Sequence, residues 1–237
     1  LPCLKVLKNF APLNLNSEIN ILISSIVDTV LYLFYNQNMI NILGGIYYIK
    51  RLGLYFYVRP QTEDIYHIIP GREGIIERFI LSTVSEQGFF IDIGANIGYY
   101  TCLIGKIKAG TKVISIEPIP ETFRILKLNC SLNNIKAITV NKALWSKNAK
   151  LKFYTPRIKN MHLYGLSHFE STNTFLLSIE VAATTLDSIL ESYSVPRVDL
   201  IKIDVEGAEY EVLLGAKKIL KKTRYLYIAV SYTHLRA

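Results

Sequence analysis

The residues best suited to chemistry fall in the run Phe89-Phe90-Ile91-Asp92-Ile93-Gly94-Ala95-Asn96-Ile97-Gly98. It reads as a short apolar strand, a glycine-containing turn and the start of a helix. Gly94 lets the backbone approach a ligand with no Cβ in the way, and Gly98 permits close helix–sheet packing. Where a dinucleotide-binding G-x-G-x-x-G places its first glycine, this chain has Asp92. A carboxylate there repels a pyrophosphate and suits a ligand carrying an ammonium and a sulfonium. Glu117-Pro118 closes the next apolar run, roughly 20 residues beyond the glycines, the distance at which an acid reaches a ribose diol in such folds. One acid at a strand end says little. Asp92, Gly94, Gly98 and Glu117 in strand–turn–helix context specify a nucleoside-type cofactor.

A second cluster is Asp199-Leu200-Ile201-Lys202-Ile203-Asp204-Val205-Glu206-Gly207. Side chains two apart share a face of a strand, so Lys202, Asp204 and Glu206 point the same way if the strand runs that far. Asp204 or Glu206 is then a candidate general base, with Lys202 orienting them or the acceptor; His168, in a polar loop, ranks below them. The two acids are also compatible with a divalent metal orienting a diol, but they are too few to specify one. Cys3, Cys102 and Cys130 form no C-x-x-C pair, so neither a zinc site nor a disulfide framework follows. Cys102 and Cys130 read as small core residues, and a reducing cytoplasm fits this usage.

The elements that must hold these groups follow from the pattern. Phe89 to Ile93, Lys112 to Ile116, Ala137 to Val140, Leu200 to Ile203 and Tyr225 to Val230 are apolar strands. Gly98 to Lys108, Pro120 to Asn133 and Ala208 to Leu220 are the helices alternating with them. Such alternation predicts an α/β fold, a parallel sheet with helices on both faces. Upstream, Leu54 to Val58 reads as a strand and Gly74 to Val84 as a helix. Lys150 to Ser188 breaks the rhythm: Leu151 to Tyr154 and Ser178 to Ala182 are strands around a polar loop with His162 and His168. Its expected place is near the carboxyl ends of the strands, where substrates bind in open α/β sheets.

Residues 1–54 read as a helical accessory segment. Ile19 to Tyr35 carries an i, i+3, i+4, i+7 apolar stripe with Asp28 at its centre, which favours a helix packed on the main domain over a membrane-surface helix and, last, a span. Half of the 237 residues are hydrophobic and 19% are charged, which excludes a disordered tail. The net charge of +8 is dispersed, with no run dense enough for a nucleic-acid arm, so no nucleic-acid partner is expected. An anionic membrane surface or an acidic glycan remains compatible with it, and a cytoplasmic protein with peripheral membrane contact is the resulting expectation.

Taken together, Ile91 to Thr101, Glu117-Pro118, Asn129, Ala143-Leu144, Thr185-Leu186-Asp187, Ile201 to Glu209 and Gly215 resemble the FkbM-like family of S-adenosylmethionine (SAM)-dependent methyltransferases, with Thr62-Glu63-Asp64 similar to its lead-in. The resemblance spans roughly residues 55 to 230. It implies a Rossmann-like SAM-binding core over residues 55–230 and O-methylation of a hydroxyl on a sugar, glycan, lipid-linked sugar or glycosylated metabolite. It further implies that Asp92, Gly94, Ala95, Asn96 and Gly98 hold the methionine side of SAM. Glu117-Pro118 would meet the ribose, and the residues around Asn141 to Leu144, Ala143 among them, would border the adenine. Two other readings compete: a non-catalytic SAM-binding or interaction module, and a nucleotide-dependent oxidoreductase, against which Asp92 argues. The sheet of such enzymes normally continues past a fifth strand. The tail 231–237 continues no such pattern, so it is expected to be a truncation scar or a non-native extension.

Overall fold

The computed structural model describes residues 10–11, 44–60, 62–158, 161–162 and 176–230. In chain order, β1 (Phe10–Ala11), β2 (Gly45–Ile49) and β3 (Leu54–Val58) precede α1 (Asp64–His67) and α2 (Gly74–Thr83). There follow β4 (Phe89–Ile93), α3 (Tyr99–Ile107), β5 (Lys112–Ile116), α4 (Pro120–Leu132) and β6 (Ile138–Val140). Next come β7 (Ala143–Leu144), β8 (Ala149–Ile158), β9 (Met161–His162) and β10 (Leu176–Thr184). The last are α5 (Leu186–Leu190), β11 (Val198–Ile203), α6 (Glu209–Leu214), α7 (Lys217–Leu220) and β12 (Thr223–Ile228).

The central sheet runs β12-β11-β4-β5-β6, and every pairing in it is parallel. Its middle strand, β4, is buried at all five positions, so helices cover both faces. Phe90 packs with Ile80, Leu103, Ile104 and Leu126 from α2, α3 and α4. Phe89, Ile91 and Ile93 pack on the opposite face with Leu186, Val212 and Ile219 from α5, α6 and α7. This is the expected doubly covered, Rossmann-like α/β sheet. The strand order reverses between β4 and β11, and a crevice at their carboxyl ends is where such sheets bind ligands. Cys102 and Cys130 are buried free thiols in the α2–α4 core, as expected.

Several elements differ from the pattern-based expectation, and in the segment read as helical Phe10–Ala11 is a strand that pairs antiparallel with β2. Gly45–Ile49 is a strand, not part of a helical segment: it pairs antiparallel with β3 from Gly45↔Val58 to Ile49↔Leu54. Its residues alternate in burial, and period-2 alternation needs a sheet to bury one face. The helix expected over Ala208 to Leu220 is two helices. The Asp187 carboxylate accepts the Lys218 and Ile219 backbone N–H groups at 2.8 and 2.9 Å, which starts α7 afresh. The two strands of the Lys150 to Ser188 region are longer than anticipated, and β10 pairs antiparallel with β8 and parallel with β7. Phe153, Val181 and Ala183 of this sheet pack on Ile119, two residues past Glu117, so it stands at the carboxyl end of β5. His168, the side chain of His162, the stretch Ile19 to Tyr35 and the tail 231–237 lie outside the described residues. Among the described residues no helix is long and apolar enough to cross a membrane.

Among the described residues the edge of β3 has no strand partner on its α4 side, and two asparagines one helical turn apart take that place. Asn129 accepts from Tyr57 N at 2.7 Å and donates to Tyr57 O at 3.3 Å. Asn133 does the same to Tyr55 at 2.7 and 2.6 Å. Asn129 also donates to Ile97 O at 2.9 Å, so one fully buried side chain joins the hairpin, α4 and the Gly94–Gly98 turn. Asn129→Ala therefore strands three backbone groups, the buried Ile97 O and the part-buried N–H and carbonyl of Tyr57. It should lower unfolding free energy by about 2–4 kcal/mol in urea titrations, and a loss below about 0.5 kcal/mol would show that the bridge is dispensable.

Candidate active site

The turn after β4 is held from three sides. Gly94 N and Ala95 N both donate to Ile116 O, at 3.0 and 3.1 Å, and Asp204 N donates to Ile93 O at 3.1 Å. Gly94 has φ +71°, and a Cβ there would overlap the Asp204 backbone carbonyl. Its glycine character thus lets β4 and β11 converge at their ends. Asn96 takes φ +50°, and its N–H donates to Glu117 Oε2 at 2.9 Å. At Gly98, φ +89°, an added Cβ would meet Leu126 of α4, so the close packing there is helix against helix and not helix against sheet.

Asp92 and Lys202 are direct neighbours across the β4–β11 register, at the switch point. Asp92 is fully buried, and its Oδ2 accepts from Thr101 Oγ1 at 2.8 Å; Thr101 in turn meets the Ser115 hydroxyl at 2.7 Å. Lys202 Nζ lies 3.4 Å from Asp92 Oδ1, 3.4 Å from Asp204 Oδ2 and 3.5 Å from Gly94 O. Burial alone would lower the Lys202 pKa, but the Asp204 and Asp92 carboxylates outweigh it and hold the ammonium above the ordinary lysine value. The Asp204 side chain, 41% exposed, is the open end of this triad. Glu206 is not on the same strand face. β11 ends at Ile203, and Glu206 sits in a turn with φ +48°.

Glu117 is 5% exposed and accepts two backbone N–H groups, Asn96 at 2.9 Å and Ile119 at 3.0 Å. Burial pushes its pKa up to about 7, against the opposing pull of those N–H groups and of Arg59. Asn141 donates to the carbonyls of Glu117 and Pro118 at 2.8 and 2.9 Å and so fixes the strand end, while Ala143 is buried just beyond it. Arg59, at the end of β3, clasps Asp64 through its N, Nε and Nη2 at 2.7–2.9 Å and reaches Thr122 of α4 at 3.2 Å. Thr101 and Arg59 were not singled out as site residues from sequence, whereas Asn141 was expected at the border of the adenine; all three hold other residues, a role that has no local pattern.

Two buried acceptors at this crevice have no hydrogen-bond partner: Asp92 Oδ1, which has only the Lys202 ammonium at 3.4 Å, and Asn96 Oδ1. A buried acceptor left unsatisfied costs about 1–3 kcal/mol, so the pair suits a ligand that brings N–H donors and positive charge. Among the described residues no group of three or more His, Cys, Asp or Glu is placed to hold a metal ion.

The family model of the methyltransferase FkbM domain matches residues 92–236. The hexuronic acid methyltransferase AglP of Haloferax volcanii is 28% identical over 172 residues, covering 72% of this chain and 67% of its own length. The 2-O-methyltransferase NoeI of Sinorhizobium fredii is 27% identical over 170 residues, 66% of this chain and 69% of its own. Methyltransferase 1 of Beauveria bassiana is 28% identical over 147 residues, 55% of this chain; the chain spans only 59% of that relative's length. The family match begins at the buried carboxylate of the switch point and runs through the Lys202–Asp204 strand end, more than half of the sequence, and the chain therefore belongs to the methyltransferase FkbM domain family.

Proposed function

We propose that this chain is a SAM-dependent methyltransferase that methylates a hydroxyl of a sugar, glycan or glycosylated metabolite. The observation that carries the cofactor reading is the pair of unsatisfied buried acceptors, Asp92 Oδ1 and Asn96 Oδ1, beside the Gly94 turn at the switch point. In this reading Asp92 and Asn96 receive the ammonium of the methionine part, Gly94 and Ala95 line it with backbone, and Gly98 starts the helix behind it. Glu117 accepts from the ribose hydroxyls, and the stretch from Asn141 to Ala143 borders the base. SAM supplies an electrophilic methyl group on a sulfonium. The chain's own contribution is to fix charge and exclude water around it. Lys202 is a positioning residue here: it holds Asp92 against the cofactor side and Asp204 against the acceptor side. The acceptor class rests on two relatives whose names specify a hexuronic acid and a 2-O position.

The central test is calorimetry followed by a transfer assay. Wild-type protein should bind SAM and not NAD. Asp92→Asn, which keeps the side-chain volume and removes the charge, should weaken SAM binding at least about tenfold. Unchanged affinity would sink the cofactor assignment. Radiolabelled methyl transfer to uronic acid and neutral saccharide acceptors then separates an enzyme from a binding module, which would bind SAM and transfer nothing.

Glu117 gives a second, proton-counting test. With a pKa of about 7 it is about half protonated in the free protein at that pH. Donation by ribose hydroxyls favours the carboxylate, so SAM binding near pH 7 should release up to about half a proton. Binding heats measured in buffers of different ionisation enthalpy would report this, and Glu117→Gln should abolish the difference. The same residue acts on stability. From pH 4.5 to about 7 the folded chain holds a proton that the unfolded chain has lost, so its contribution is full below 4.5 and falls as pH rises through 7. The melting temperature of Glu117→Gln should gain on wild type across that window.

A further inference from the structure

The end of the sheet opposite the crevice is concave as well. At the amino-terminal ends of β5, β11 and β12 lies a groove of about 510 Å³. Lys112 begins β5, Val195 and Pro196 lead into β11, and Lys222 leads into β12, its carbonyl accepting the Val198 N–H at 3.0 Å. The floor is aliphatic: Leu190, Val195 and Ile219 belong to the core between the sheet and α5 to α7. The rim is basic and open, with Lys112, Lys218, Lys222 and Tyr193 all exposed.

Positive charge that is dispersed elsewhere gathers at this end. Lys217-Lys218-Ile219-Leu220-Lys221-Lys222-Thr223-Arg224 holds five bases and no acid, and all five are exposed. Arg197, next to Pro196, is exposed too. The groove itself has two carboxylates. Asp187 turns both oxygens to the backbone N–H groups of Lys218 and Ile219, at 2.8 and 2.9 Å. Glu191 pairs with Lys218 at 3.2 Å. Among the described residues no carboxylate pairs with Lys112 or Lys222, and the Lys222 ammonium donates to the Val195 carbonyl at 3.3 Å.

We infer that this end of the sheet is a docking surface for an anionic lipid bilayer. Headgroup phosphates pair with the rim lysines, while Tyr193 and the aliphatic floor meet the apolar layer beneath the headgroups. Lysine suits such a rim, because its apolar stem lies along the floor while its ammonium reaches outward. A bilayer brings negative charge and hydrocarbon together. A nucleic acid would answer the rim but lay polar sugar and phosphate over the floor. The strands run from this surface towards the crevice. At about 3.3 Å per residue, β11 sets the two ends roughly 20 Å apart. Docking therefore leaves the crevice facing water, and cofactor and acceptor enter from the aqueous side. Only this last consequence rests on the proposed function; the surface stands apart from it.

The test is co-sedimentation of the full chain with two kinds of vesicle, phosphatidylcholine alone and phosphatidylcholine mixed three to one with phosphatidylglycerol. The chain should bind the mixed vesicles at least about tenfold more tightly, and about 0.5 M salt should remove the difference. Each lysine near such a surface contributes about fivefold, so Lys112→Gln with Lys222→Gln should weaken binding about 25-fold at an unchanged melting temperature. Lys217→Gln with Lys221→Gln, whose side chains make no bond among the described residues, should act likewise. Lys150→Gln with Lys152→Gln, the same charge change on β8, should bind as wild type. Four results would overturn the surface. Equal binding to both vesicles, or none to either, removes the anionic lipid. Equal loss in the β8 variant reduces it to net charge. Displacement by millimolar glycerol phosphate makes it a site for free phosphate. Tighter binding to a single-stranded RNA than to the mixed vesicles makes it a nucleic-acid surface. Neither SAM nor an acceptor enters the assay, so its failure and that of the proposed function are read separately.

Discussion

A buried lysine held between two carboxylates at the one place where the sheet reverses direction is the constraint on which the rest depends. Lys202 needs Asp92, because an unpaired ammonium at that depth would cost several kcal/mol. Asp92 in turn needs the Thr101 hydroxyl for its second oxygen. These groups meet only if β4 and β11 are adjacent and in register, and if their ends converge closely enough for Gly94 to be the residue that fits. The fold is in this sense specified from its charged centre outward as well as from its apolar core. Replacing such a buried pair by apolar residues of similar volume is often neutral or stabilising, so packing alone does not account for it.

The layers around that centre divide the work by their regularity. The parallel sheet and its covering helices supply the fixed part, the turn at Gly94 and the clamp of Glu117 on Asn96. The β2–β3 hairpin supplies a cover, and it does so without joining the sheet. Asn129 and Asn133 imitate a neighbouring strand, which satisfies an edge that would otherwise be open to other chains. Because Asn129 also bonds Ile97 O, the hairpin and the segment that follows it are referenced to the Gly94–Gly98 turn. With the bonds of Arg59 to Thr122, Tyr99 to Glu77 and Tyr100 to Glu73, that link fixes the upstream segment against α3 and α4.

Much of this was legible in the sequence, and the reasons differ from element to element. The core strands were readable because a strand buried on both faces must be continuously apolar, as Phe89 to Ile93 is but for Asp92. That exception was the informative residue, since a carboxylate in such a run needs a partner or a ligand. The β2 strand was missed because Gly45 to Ile49 follows a long apolar stretch whose helical spacing dominates the pattern. The break before α7 was missed because its cause, Asp187, lies some thirty residues away in sequence. Glu206 was grouped with Lys202 and Asp204 on strand alternation, and alternation ceases to apply where β11 stops at Ile203.

The same contrast explains why the cofactor side and the acceptor side of one crevice differ in how much they reveal. A cofactor that is the same in many enzymes is met by backbone geometry and a few fixed charges, and those requirements compress into a short run such as Asp92 to Gly98. An acceptor hydroxyl asks only for a correctly placed lone pair and some exclusion of water, which any of several elements can provide. In this chain the open end of the triad, Asp204, lies just past β11 with its side chain 41% exposed, whereas Asp92 is fully buried within β4 and bonded by Thr101 of α3. Lys202 touches both carboxylates at equal distance and so sets the spacing between the two halves of the site. The deepest charged contact of the crevice is thereby tied to the register of β4 and β11.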